Sequence, residues 1–281
     1  MAKPVSEQRI ESYSASLKDV FRPLTQHWHL LLQLSKRGIQ SRYRGSVLGM
    51  FWSLLTPLLM LLVYSFVFSV VFKAKWNHPG AEDANFGVIL FSGMIIHALF
   101  SEPMVLSSTS ITSNTQYVKK VVFPLEIMAW STIIVASFQA LISFIILIVF
   151  MLFSGMTIHP TILLFPLVVA PLILFSVGLG WILSSLTVFV RDIAQLVGIV
   201  SIIALFISPV FYPVDRLPLV WQSLIYLNPI SYIVDQMRRI SIYGEMPDWA
   251  GLGIYTLVAL LVAWLGLMLF QRLRTGFADV L

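Results

Sequence analysis

The chain has 281 residues, 58% of them hydrophobic and only 11% charged, where soluble domains carry roughly a quarter charged residues, so water is excluded as its main solvent. Cysteine is absent, which excludes a disulfide framework and a thiolate metal site. The net charge of +5 has to be weighed against membrane topology before nucleic acid is invoked, because basic residues gather on the cytoplasmic side of membrane proteins.

In chain order, residues 1–46 are polar and mixed in charge, with no short apolar core leading to a small-residue cleavage site. This argues against a cleaved signal peptide and for a cytoplasmic N-terminal region. Over residues 25–44 and just before them, Leu24, Trp28, Leu31, Leu32, Ile39 and Tyr43 recur near helical spacing, while Lys36, Arg37, Arg42 and Arg44 gather at the end. The pattern predicts an amphipathic helix in the membrane interface; a surface helix packed on other protein would read the same way.

A bilayer core of about 30 Å takes roughly 20 apolar residues per helix. The first such run, 47–72, carries no charge, and its Pro57 is tolerable where neighbouring helices satisfy the freed carbonyl. The second, 86–111, holds Glu102 and Pro103 in its far half. The hydroxyl-rich loop that follows, 107–123, ends in Lys119 and Lys120. It is long enough for a short helix along the membrane, and its basic pair can hold topology through anionic lipid or dock a soluble partner.

The third run, 126–153, and the fourth, 161–190, are joined by an uncharged turn and predict an antiparallel hairpin. Arg191 and Asp192 mark the next boundary, after which 193–212 and 249–270 make a fifth and a sixth span. Between these two, the apolar stretches 217–227 and 230–242 are each too short to cross. They are split by Asn228 and Pro229, and Pro229 suits the first turn of a second short helix. The predicted fold is an all-α integral membrane protein with six transmembrane helices. The layout is a cytoplasmic region at 1–46, a membrane domain at 47–270 and a cytoplasmic tail at 271–281. Within the membrane domain lie a loop at 108–125 and an outer segment at 213–248.

An N-inside arrangement puts thirteen of the 18 Lys and Arg residues inside. The five left outside are Lys73, Lys75, Arg216, Arg238 and Arg239. The bias follows the positive-inside rule, so the net charge has its explanation and no nucleic-acid partner is expected.

Catalytic chemistry is sparse. His27 and His29 lie two apart, which on a helix points them away from each other, and no HExxH pattern occurs. Inside the spans the titratable groups are His97 and Glu102, with Glu126 and Asp192 at edges; such groups are functional candidates by default. No glycine precedes a lysine, so the chain has no phosphate-cradling loop of its own. The pairs Gly45 with Gly49 and Gly178 with Gly180 read as close helix packing.

Five segments carry a resemblance. KRGIQSRYRGSVLGMFWSLLTPLLMLLVYSFVFSVVF (36–72), YVKKVVFPLEI (117–127), VFVRDIAQLV (188–197), SPVFYP (208–213) and LNPISYIVDQMRR (227–239) resemble, in this order, type-2 ABC transporter permeases that export O-antigen and teichoic acid polymers. The likeness runs from about residue 17 to near the end. It implies a transport subunit, not an enzyme, of which two copies form the pore in the inner membrane, with both termini cytoplasmic. Two copies of a separate ATPase would bind ATP and magnesium, leaving this chain without a cofactor or metal of its own.

The resemblance further implies that the amphipathic stretch is an interface helix. It makes Asn114, Thr115, Gln116, Tyr117, Val118, Lys119, Lys120 and Phe123 the coupling segment against the ATPase. It places an outer gate around Leu224, Ile225, Asn228 and Pro229. The implied substrate is a lipid-linked polysaccharide. Aromatic faces pack on sugar rings, so Trp52, Tyr64, Phe91, Phe100, Phe206, Phe211 and Tyr212 are candidates for the translocation path. The alternatives are a related permease for teichoic acid, capsule, drug, peptide or lipid, and a membrane-bound transferase, which would show paired acidic or histidine residues at one membrane face.

Overall fold

A computed structural model describes residues 16–76, 84–119 and 123–281. Among these residues every regular element is helical, as lipid demands of a backbone that must satisfy its own hydrogen bonds. Helix α1 (Leu17–Gln26) opens on a capping box between Ser16 and Asp19. After a break at His27 comes α2 (Trp28–Tyr43), so the predicted amphipathic stretch begins in one helix and continues in another. Leu31 and Ser35 of α2 are buried, and the Ser35 hydroxyl reaches Ser131. Trp28 and Leu32 on the same helix stay exposed. The helix therefore rests on protein with one face and keeps a second apolar face free.

The first span is composite: a 3-10 turn (Gly49–Phe51), α3 (Trp52–Tyr64) and a π-helical end (Ser65–Val71). It is followed by α4 (Phe86–Ser110), the short α5 (Thr115–Lys119) and α6 (Ile127–Phe153). Next come α7 (Phe165–Phe189), led in by Pro160–Leu164, and α8 (Asp192–Ile207). The chain closes with α9 (Leu219–Tyr226), α10 (Pro229–Arg238) with a π-helical end (Arg239–Tyr243), α11 (Trp249–Arg274) and α12 (Phe277–Val280).

Five of these elements are long and apolar enough to cross a membrane: Gly49–Val71, Phe86–Ser110, Ile127–Phe153, Pro160–Phe189 and Trp249–Arg274. The remaining predicted span is α8, which has 16 residues and so reaches about 24 Å. It stops at Ser208 instead of running on to Tyr212, because Pro209 pushes the residue before it out of the helical region; Ser208 is extended at φ −68° and ψ 146°.

The tightest seam joins α7 to α11. A Cβ on Gly178 would meet the Ala263 backbone at 2.6 Å, and one on Gly266 would meet the Gly178 carbonyl at 2.3 Å, so backbones touch where small residues allow it. Gly180 likewise faces Ser107 and Ala129. The packing reading of Gly45 and Gly49 is overturned. A Cβ on either would meet nothing within 4 Å, and both have left-handed backbones, φ +85° and +50°. They form the elbow between α2 and the first span, a place where only glycine escapes a steric penalty.

Helix α4 runs through the centre, packed on α3, α6, α7, α8 and α10. Two main apolar cores result. One lies around α4, α6, α7 and α10; the other joins α1 and α2 to the basic ends of α6, α7 and α11.

Candidate functional site

The residues singled out from sequence lie at both ends of the bundle and along the central helix α4. At the basic end, the loop after α4 folds back through α5. Asn114 Nδ2 donates to the Ser110 carbonyl at 2.8 Å, and Tyr117 stacks on Phe123 with centroids 4.5 Å apart and planes 12° from parallel. Thr115 and Val118 are half-buried, while Gln116 and Lys119 point into the open. Lys120 lies outside the described residues.

The segment is held from behind by the end of α11. Arg274 Nη2 donates to the Phe123 carbonyl at 2.9 Å, and Nη1 pairs with Glu126 at 3.0 Å. Trp181 of α7, fully buried, donates its indole N–H to the Glu126 carbonyl at 2.9 Å. A cavity of about 340 Å³ opens between α2, α5 and α6, with Arg37, Ser41, Asn114, Tyr117, Ser131 and Thr132 among its lining. Arg37 donates to the Tyr117 hydroxyl across it at 3.4 Å. The root of the segment is thus anchored to two spans, α11 and α7.

Both intramembrane polar candidates have partners. Glu102 pairs with Arg42 of α2, and His97 Nε2–H donates to the Ser201 carbonyl of α8 at 3.0 Å. Each ties α4 to a neighbouring helix. Among the described residues no His, Asp and Glu cluster could hold a metal ion.

The path candidates divide. Phe91 and Phe100 are buried in the core, with Phe100 near Phe175 at 6.5 Å, and so pack the interior of the single chain. Trp52 and Phe206 are exposed, and Tyr64, Phe211 and Tyr212 are half-buried. Four rings gather near the end of α8: Phe206 stacks on Phe211 at 5.7 Å, Phe211 lies 6.4 Å from Phe68, and Phe68 stacks on Phe86 at 5.5 Å. Tyr212 donates its hydroxyl to the Ile207 carbonyl at 2.7 Å, satisfying a carbonyl left orphaned where α8 ends.

The two short helices of the outer segment are unlike each other. In α10, Ile230, Ile233, Val234 and Met237 are all at 0% exposure, whereas in α9 Leu219 is at 80%. Of the gate candidates, Leu224 is exposed and Ile225 buried. Asn228 caps α10 through its Oδ1, which accepts the Ile230 N–H at 3.1 Å, and Pro229 fills the first position of that helix. Beyond it, Asp248 caps α11; the Gly251 N–H and the Tyr232 hydroxyl hold its carboxyl below the usual carboxylate range.

Sequence reasoning missed Arg238, which was counted as an outer loop charge. It is buried, donating to the carbonyls of Pro209 at 2.6 Å and Val210 at 2.8 Å. The signal was present in the spacing, since residue 238 lies on the helical stripe of Ile230, Val234 and Met237. A charge on a buried stripe needs a partner.

The family profile described as ABC-2 type transporter matches residues 29–242. An O-antigen export system permease protein RfbA of Myxococcus xanthus is 29% identical over 264 residues, covering 92% of this chain and 97% of the relative. A protein of the same name from Klebsiella pneumoniae is 26% identical over 255 residues, 90% and 95% of the two chains. The polysialic acid transport protein KpsM of Escherichia coli is 25% identical over 238 residues, 84% and 90%.

Proposed function

The chain belongs to the ABC-2 type transporter family, and from that premise we propose that it is the permease subunit of an exporter for a lipid-linked polysaccharide of O-antigen type. The observation that carries this reading is the likeness, over 84 to 92% of the chain, to proteins named for O-antigen export and polysialic acid transport. As a multi-pass membrane protein with bacterial relatives it would sit in the inner membrane, both termini in the cytoplasm, in accord with the distribution of its basic residues.

A second copy would face the first along α3 and α8. In the first span only 17% of the most apolar window is buried within one chain, and of α8 only Val197 and Ser201 are buried. Energy would come from a separate ATPase seated against α5, where Gln116 and Lys119 are presented and Arg274 backs the root. The geometry supports this because a force applied at Phe123 reaches α11 through a hydrogen bond and an ion pair. The exposed ring of Phe206, with half-buried Phe211 and Tyr212 beside it at the far end, suits weak, repeated stacking on sugar rings.

The test is reconstitution. Placed in proteoliposomes with its partner ATPase and a lipid-linked polysaccharide, the chain is expected to move polymer only when ATP is supplied, and the Lys119→Glu variant to bind the ATPase more weakly. ATP hydrolysis by the purified chain alone, or polymer movement without the ATPase, would overturn the reading.

A further inference from the structure

The chain between α8 and α10 leaves the bundle and returns to it at one point. Asn228 Nδ2 donates to Ser208 Oγ at 2.9 Å, while the Ser208 hydroxyl is itself committed to the Ala204 carbonyl at 2.5 Å. Next to this contact, the two Arg238 hydrogen bonds hold the carbonyls of Pro209 and Val210. The Arg238 guanidinium also lies 4.5 Å from the ring centroid of Trp76, and the Trp76 indole N–H donates to the Tyr243 hydroxyl at 2.9 Å. A desolvated guanidinium is costly unless its donors are used and its charge is answered. Here Nη1 and Nη2 are spent on two successive carbonyls of a single non-helical turn and the guanidinium face on one aromatic ring, while the buried Nε has no hydrogen-bond partner.

Space for that side chain comes from α4. A Cβ on Gly93 would sit 3.2 Å from Arg238 Nη2 and 3.3 Å from Val210 Cγ1. The post itself is fixed on its other sides. The Tyr255 hydroxyl donates to the Pro229 carbonyl at 2.9 Å, the Asp248 N–H donates to Gln236 Oε1 at 2.8 Å, and the Thr161 hydroxyl donates to the Ile240 carbonyl at 2.7 Å. Between its two ends the excursion is loosely held: Val220, Trp221, Leu224 and Leu227 of α9 and its edge are all exposed.

We propose that residues 213–227 form a flap hung from a fixed neck, with Ser208, Asn228 and Arg238 as its positioning residues and α10 as an immobile post. The outer mouth then opens by movement of α9 alone, carried on a neck that stays closed throughout the transport cycle. The role of the flap over a passing polymer rests on the export reading; the geometry of the neck does not. Two-residue closure at the base also keeps Phe211 and Tyr212 in place beside α8 while the apolar tip swings.

The chain has no cysteine, so the Ser208→Cys/Asn228→Cys variant carries two thiols and no others. Bridged by a short bis-thiosulfonate and reconstituted with the ATPase, it is expected to export polymer as fast as the unbridged variant. In a second arm, Val210→Cys, at 0% exposure in the parent, is challenged with a water-soluble maleimide. Arg238→Met is expected to raise its labelling rate about tenfold by easing local opening, and Arg238→Lys, which can still donate to both carbonyls, to restore most of the protection. A bridged neck that halts export, or an unchanged labelling rate in Arg238→Met, overturns the proposal. If Arg238→Met fails to insert, the bridging arm decides alone. Should even the parent export no polymer, the export reading fails, while the labelling arm still reports on the neck.

Discussion

The first span and α4 lie side by side, and the less hydrophobic of the two is the more buried. The first span has a mean hydropathy of 2.3 with 17% of its window buried; α4 has 1.7 with 72% buried. In water the order would be reversed. In lipid an apolar face has nothing to gain by hiding, whereas the polar residues of α4 must meet partners. Ser107 finds Thr132 at 2.7 Å, His97 finds Ser201 and Glu102 finds Arg42. The helix in the middle is the one that cannot face hydrocarbon.

Truncation should separate the two helices by the widest margin. Leu99→Ala in α4, at 1% exposure, is expected to destabilise by ~2–5 kcal/mol, and Leu59→Ala in α3, at 45%, by less than ~0.5 kcal/mol. Thermal unfolding in detergent, followed by loss of monodisperse protein, measures both. Equal losses would refute the contrast.

A smaller effect is expected from adding one carbon. Gly87→Ala places a Cβ 2.5 Å from the Ser65 backbone and should cost ~1–3 kcal/mol. Gly198→Ala on α8 meets nothing within 4 Å and should be neutral or gain up to ~1 kcal/mol from helix propensity. The same unfolding assay reads the difference in sign.

The polar links of α4 should each contribute less than its packing. His97→Leu removes the bond to Ser201 without changing the size of the side chain much, and about 1 kcal/mol is expected. Glu102→Gln should give the smallest change, at most ~1 kcal/mol, because the pair with Arg42 is about a quarter to a third exposed. Its loss should shrink further in high salt.

The spans were legible because each apolar run of the right length has one stable answer in a bilayer. What hydropathy could not give was the environment of each face. Phe91 and Phe206 are both phenylalanines in apolar runs, yet one is core and the other an exposed ring at the end of α8. The stretches 217–227 and 230–242 looked alike for the same reason, and only the alignment of Arg238 with the apolar stripe separates α10 from α9. Gly45 and Gly49 matched a packing spacing while serving as an elbow, since spacing records neighbours along a helix and says nothing of φ. Pro209 marks the true end of the fifth run in the sequence itself, because a proline disfavours helical backbone at the residue before it.

The π-helical end of the first span acts as an insertion held in plain sight. Ser53, Pro57, Leu61 and Ser65 are buried at intervals of four, and there the stripe stops, because an i to i+5 turn holds one residue more than an α turn. One residue of an α-helix is about 100° of rotation. Beyond Ser65, therefore, the helix turns a new side inward and brings Phe68 onto Phe86 and Phe211. Deleting Phe66 or Val67 would leave the segment as apolar and nearly as long, and no hydropathy profile would register the loss. Yet the Phe68 ring would swing out of its stack, so the reading frame of this helix face, rather than its greasiness, is what the segment encodes.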